Sequence, residues 1–228
     1  VRKIAVVVAL LVGVGAWAQA PVAVVNGEPI SREELDRATR LSEIVFTLYQ
    51  EYPEFTQALL MSEEGKAFLA RYEREVLDRL ILRKLQLQEA RARGIAADVE
   101  QVTEEVDRTI QQIMAYYGLS ADDLAQILAM QGMTVDDFRA EIAQQVREKL
   151  VLDALKRAVQ DEVVVSEEEI AAFYEKNLQS FTGEAGSPKP LDEVREEIIT
   201  QLLPSKREAY WSQWLKDLRA NADVVINL

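Results

Sequence analysis

The stretch Pro21-Val-Ala-Val-Val-Asn-Gly-Glu-Pro-Ile-Ser-Arg-Glu-Glu-Leu35 sets how this chain begins to fold. Val22 to Val25 is a short β-prone run, Asn26-Gly27 suits a two-residue type I′ turn, and Glu28-Pro29-Ile30 returns as a second strand. Ser31 with Glu34 three residues on has the spacing of a capping box, so a helix starts directly after the hairpin.

Working outward toward the N-terminus, Arg2 and Lys3 form a positive region, Ile4 to Gly15 an apolar one, and Ala16-Trp17-Ala18 a small-x-small site. This is the layout of a secretory signal peptide occupying residues 1–18, cleaved after Ala18 or alternatively Ala20. The apolar stretch falls short of the roughly 20 residues that cross a bilayer, although an uncleaved anchor remains open. The expected location is therefore periplasmic or otherwise extracytoplasmic, with no stable membrane insertion after cleavage. There is no cysteine, so neither a disulfide framework nor lipid attachment through cysteine is available.

With 49% hydrophobic and 29% charged residues, the composition is that of a globular fold of one or two lobes and is too apolar for disorder. The net charge of −13 becomes more negative once Arg2 and Lys3 leave with the signal, and it repels nucleic acid and anionic membranes.

Helix signals fill the rest of the chain. Leu35, Ala38, Leu41, Val45 and Leu48 mark a helix from Ser31 to about Gln50, before Pro53 interrupts. Phe68, Leu69, Tyr72, Val76, Leu80 and Ile81 mark a long second helix closing at Gly94. Asp98 opens a third, with Val99, Val102, Val106, Ile110 and Ile113 on one face, ending near Gly118. Ser120 opens a fourth that stops at Gly132, and Thr134 a fifth that reaches about Gln160. Ser166 with Glu169 starts another. After the Gly/Ser/Pro linker Thr182 to Lys189, a final helix runs from Leu191, with a kink or break expected at Pro204. The chain closes on Asp223-Val-Val-Ile-Asn-Leu228. An isolated strand is unstable, so this run is expected to pair with the hairpin and join the two ends in one lobe. The predicted fold is mainly α, a multi-helix domain with a small β element built from both termini.

The N-terminal "VAVVNGEPISREEL" resembles the start of the chaperone domain of SurA-type periplasmic proteins and of their relatives among parvulin-linked foldases. "VSEEEIAAFYEKNLQSF" is similar to the segment leading into the first parvulin domain there, and "PLDEVREEIITQLL" with "AYWSQWLKDLRANADVVINL" to the segment that returns to complete the core. The resemblance implies residues 19–181 as the N-terminal part of a chaperone domain and 190–228 as its C-terminal completion, with 182–189 standing where a parvulin domain would be. Parvulin sites are built around a histidine pair, and this chain has no histidine at all.

Without imidazole or thiol, Ser-His-Asp and cysteine mechanisms and nearly all zinc sites are closed. The acidic clusters Asp122-Asp123, Asp136-Asp137 and Glu167-Glu168-Glu169 admit an acid/base or Ca²⁺ reading. Each lies in the first turn of a predicted helix, however, where negative charge meets the positive end of the macrodipole. Ser205-Lys206 lacks S-x-x-K spacing. No phosphate-binding glycine loop is present, so no nucleotide, metal or other cofactor is expected. The remaining candidates are apolar: Phe46, Tyr49, Tyr52, Phe55 and Met61 form one set, and Met114, Tyr117, Met130 and Met133, near Tyr116, a second. Such residues are mostly core. Their functional alternative is a groove that accepts many unfolded segments. The resemblance implies a non-enzymatic chaperone whose partners are unfolded or nascent envelope proteins. The other reading is a structural or adaptor protein that holds one fixed partner or self-associates, and a homodimer is compatible with either.

Overall fold

Asn26 and Gly27 both take positive φ, 48° and 83°, the backbone signature of the type I′ turn, and they join β1 (Ala23–Val25) to β2 (Glu28–Ile30). The computed structural model describes residues 20–182 and 187–228, so the signal-peptide reading and the centre of the linker lie outside the described residues. The C-terminal run forms β3 (Val224–Ile226), which pairs antiparallel with β1 and gives the order β2-β1-β3. Ala23 lies opposite both Ile30 and Ile226. Pro29, which has no N–H to give a ladder, sits in the edge strand β2, where that costs least. Ala23, Val25 and Ile30 are fully buried, so the hydrophobic alternation fixes the register.

Among the described residues nine α-helices accompany this sheet, and the chain divides into two compact units. The first holds the described residues up to Leu80 together with Asp223–Leu228; the second is Ile81–Ala222.

In the first unit, Ser31 Oγ accepts from the Glu34 N–H at 3.0 Å and starts α1 (Arg32–Thr39). The expected single helix to Gln50 is broken: Arg40 is left-handed, with φ 51°, and α2 (Leu41–Glu51) begins after it. The cause is Thr39, buried, whose hydroxyl donates to the Asp36 carbonyl and accepts from the Leu41 N–H, while its own carbonyl takes the Tyr72 hydroxyl. Apolar periodicity continues through such a break and so cannot report it. Pro53 ends α2 and also opens α3 (Pro53–Met61) at the first helical position, where its missing N–H costs nothing. Ser62 Oγ then accepts from the Gly65 N–H at 3.1 Å, in the first turn of α4 (Glu63–Ala92).

The second unit contains the rest of α4, then α5 (Val99–Tyr117), α6 (Ala121–Met130), α7 (Val135–Gln160), α8 (Glu167–Lys176), a 3-10 turn (Leu178–Phe181) and α9 (Leu191–Ala220). Full capping boxes start α6, α7 and α8 at Ser120, Thr134 and Ser166. Gly94, Gly118 and Gly132 take positive φ just past helix ends, as the sequence predicts. Val102, Val106, Ile110, Leu124, Leu128 and Val146 form one core cluster; Val99, expected on the same face, is instead 81% exposed beside its cap Asp98.

A second cluster joins Ala90, Leu155, Val159 and Trp211. Its margin is a stacked pair, Trp211 and Trp214, at 5.0 Å, with Lys156 over one ring and Arg93 over the other. A third cluster joins Ile170, Phe181, Val194 and Ile198. Of the kink or break expected at Pro204, the break does not occur: α9 runs on through the proline. Val194 and Ile198 before the proline and Trp211 after it each sit in a core cluster, and this packing holds the helix across the local loss. The ends of the linker are clasped by a bridge between Thr182 and Pro188 and by the Lys189 N–H donating to the Phe181 carbonyl.

Candidate functional site

The surface of α2 and α3 is unusual for the residues it leaves in water. α2 has no fully buried residue and α3 has only Thr56, whose hydroxyl donates to the Tyr52 carbonyl at 2.9 Å. Phe46, Tyr49, Tyr52 and Phe55 follow one another at intervals of three, running from α2 through the junction residue Tyr52 into α3. They are 57–65% exposed, and Met61 at the end of α3 is 70% exposed. Ile44 and Leu60 add to the same helix pair. All five residues of the first candidate set are thus solvent-facing.

The corner that presents them is fixed by backbone. A Cβ on Gly65 would lie 1.8 Å from the Leu59 carbonyl oxygen, so only glycine lets the start of α4 approach the end of α3 this closely.

The second candidate set divides. Met114 and Met133 are partly buried and pack against the α5–α6–α7 cluster, whereas Tyr117 and Met130 are exposed. Met114 and Met133 follow the core reading because each packs against this buried cluster. Tyr116, at 83% the most exposed aromatic residue among the described residues, packs edge-to-face on Tyr117 with centroids 4.9 Å apart. Phe68, read in sequence as part of the buried stripe of α4, is exposed as well. It occupies the first turns of the helix, before the buried run of Val76, Leu77, Ile81 and Leu85 begins.

Sequence reasoning also missed an open cleft of about 570 Å³ between α8 and α9, lined by Ala172, Phe173, Leu202 and Ala209 with Lys176 and Lys206 at its edge. The small residues Ala172 and Ala209 both line it, but the cleft needs the pairing of the two helices to be legible.

The carboxylate clusters behave as helix ends. The Ser120 hydroxyl and N–H hold Asp123 below the usual carboxylate range, and Thr134 does the same for Asp137. Glu167 is lowered by the Arg195 guanidinium that grips it with two nitrogens, and Glu169 by Lys206 and the Ser166 N–H. All four are charged partners at neutral pH, unsuited to proton transfer there. Among the described residues no group of acidic side chains has the arrangement of a metal site. Ser205 Oγ donates to the Leu202 carbonyl at 3.0 Å, so its hydroxyl serves the helix and Lys206 serves Glu169.

Comparison with known proteins gives the family. The SurA-like N-terminal domain matches residues 2–152, about two thirds of the chain. The chain belongs to the SurA-like N-terminal domain family. Foldase protein PrsA of Clostridium botulinum is 25% identical over 167 residues, which are 73% of this chain and 48% of that protein. Foldase protein PrsA of Caldanaerobacter subterraneus subsp. tengcongensis is 29% identical over 162 residues, 70% of this chain and 44% of its own length. The chain thus spans about half the length of the curated relatives it matches. A solved structure from work on the SurA-like chaperones PEB4 and Cj1289 of Campylobacter jejuni aligns with 92% of this chain and 99% of its own, at TM-score 0.46 and 13% identity. In this SurA-like domain, no helix among the described residues is long and apolar enough to cross a membrane.

Proposed function

We propose that this protein is an extracytoplasmic, ATP-independent chaperone that binds unfolded or unassembled envelope proteins reversibly and carries out no isomerase chemistry. The observation that carries the reading is the α2–α3 surface, where Phe46, Tyr49, Tyr52, Phe55 and Met61 stand in water on a chain of net charge −13. Contiguous exposed apolar side chains mark interaction surfaces, and the surrounding charge keeps such a protein soluble. Tyr117 and Met130 provide a second, smaller contact in the other unit. Family membership supports the assignment, and the absence of histidine supports the lack of parvulin chemistry. In this reading 19–181 and 190–228 make one chaperone domain, and the clasped linker 182–189 stands in place of a catalytic insertion.

Breadth is the test. At stoichiometric ratio the mature protein is expected to suppress aggregation of several unrelated unfolded proteins without nucleotide. Protection of none of them would transfer the apolar surface to an adaptor with one fixed partner.

A further inference from the structure

The segment that carries the exposed apolar residues of α2 and α3 holds charge of one sign. From Leu41 to Glu64 the sequence holds five glutamates, Glu43, Glu51, Glu54, Glu63 and Glu64, and no lysine, arginine or aspartate. Two of them are neutralised: Glu43 by Arg40 at 2.7 Å and Glu63 by Lys66 at 3.0 Å. Glu51, Glu54 and Glu64 are exposed and, among the described residues, make no ion pair. Their placement follows the aromatic residues, with Glu51 directly before Tyr52, Glu54 directly before Phe55 and Glu64 three positions after Met61.

We propose that this surface selects, among unfolded chains, segments in which lysine or arginine lies beside apolar residues. The proposal rests on the reading of α2–α3 as the client-binding surface and adds the charge of the client. An occupant of this kind satisfies both halves of the surface: its apolar side chains cover the exposed rings, and its cations meet the three free carboxylates. An acidic segment of equal hydrophobicity brings like charges together and is rejected, which makes selection depend on repulsion as well as attraction. At separations of 4–8 Å in water each favourable pair contributes a factor of about two to five at low salt. Such exposed pairs are screened once the Debye length falls to a few Å.

The test uses three unstructured, dye-labelled peptides with one shared Phe/Tyr/Leu core flanked by Lys, by Gln or by Glu, titrated with the full chain by fluorescence anisotropy. At low salt the Lys-flanked peptide is expected to bind about tenfold tighter than the Gln-flanked one, and the Glu-flanked one most weakly. The combined variant Glu51→Gln, Glu54→Gln, Glu64→Gln, all exposed positions, should bring the three affinities together. Equal binding of Lys- and Gln-flanked peptides by the wild type overturns the proposal. So does a preference that survives in the variant, because it then belongs to the net charge of the whole chain. A Phe46→Ala, Tyr49→Ala, Phe55→Ala variant separates the two levels: loss of Gln-flanked binding upholds the α2–α3 surface whatever the charge result. Unchanged binding there, or no binding of any peptide by wild type, removes both the surface and the charge selection.

Discussion

Asn26 and Asp223, 197 positions apart, exchange two hydrogen bonds: the Asn26 N–H donates to the Asp223 carbonyl at 2.7 Å, and the Asp223 N–H donates to Asn26 Oδ1 at 2.9 Å. The tip of the N-terminal hairpin is thereby tied to the residue that introduces β3. Asn26 serves twice, since it also takes the left-handed turn conformation that most residues adopt only at a cost of about 1–2 kcal/mol. Asn26→Ala is expected to destabilise the first unit by about 2 kcal/mol, from turn strain and a lost hydrogen bond together. Deleting residues 223–228 strips the pairing from β1 and should lower the melting temperature further; an unchanged melting curve would show that the tail contributes nothing.

Gly65→Ala tests the α3–α4 corner. On an ordinary helix this substitution stabilises by up to about 1 kcal/mol. Here the new methyl overlaps the Leu59 backbone. The net effect is expected to be a loss of about 1–3 kcal/mol by chemical denaturation.

Surface and core are separated by measuring stability and activity on the same variants. Phe46→Ala, Tyr49→Ala and Phe55→Ala should each change stability by no more than about 0.5 kcal/mol while weakening suppression of client aggregation. Leu35→Ala and Ile198→Ala, at fully buried positions, should cost about 2–5 kcal/mol. Loss of activity that tracks loss of stability across the first group would assign those residues to the core instead. The methionines give an internal control, with Met114→Ala destabilising and Met130→Ala neutral.

Acid should loosen the helix starts. Asp123 and Asp137 are held below their ordinary values by the Ser120 and Thr134 hydroxyls and N–H groups. A lowered folded-state value means that the unfolded chain takes up protons first as pH falls. The stabilisation is therefore complete above about pH 4, the unfolded aspartate value, and is lost as pH drops through the lower folded values. Thermal stability is expected to be flat from neutral pH to about 5 and to fall below about 4. The double variant Asp123→Asn, Asp137→Asn should be less stable than wild type at pH 7, and the gap should narrow in acid; a pH-independent gap would show that charge is not what these caps supply.

Isomerase activity is expected to be absent. Purified chain should leave X-Pro isomerisation at its uncatalysed rate, tens to hundreds of seconds at 25 °C. An acceleration that copurifies with the chain and survives controls for contaminating isomerases would place catalytic chemistry on groups other than histidine.

Much of the fold was legible because its signals are local. Asn26-Gly27, Ser31, Ser120, Thr134, Ser166 and the glycines after helix ends each act within one turn of backbone, so the residue alone states the conformation. The errors occur where local and distant demands compete. Leu41 and Val45 continue the apolar period of α1, but the helix breaks before them, at Arg40, where the buried Thr39 is bonded to Asp36, Leu41 and Tyr72. Pro204 carries a local breaking signal, and the core contacts of Val194, Ile198 and Trp211 override it. For the candidate site, composition pointed to α2–α3 without saying which way Phe46 or Met61 faces, and Met114 and Met130, equivalent in sequence terms, ended on opposite sides of the surface.

The sequence by itself determined the mainly helical class, where most helices start and stop and the turn at Asn26-Gly27, because these follow from backbone preferences and side-chain types. Only the tertiary structure decided that Gly65 must be glycine, that Arg40 separates two helices and that five large apolar side chains on α2–α3 stay in water. Those outcomes depend on which surfaces are covered by residues distant in the chain, and solvent exposure is a property of that packing.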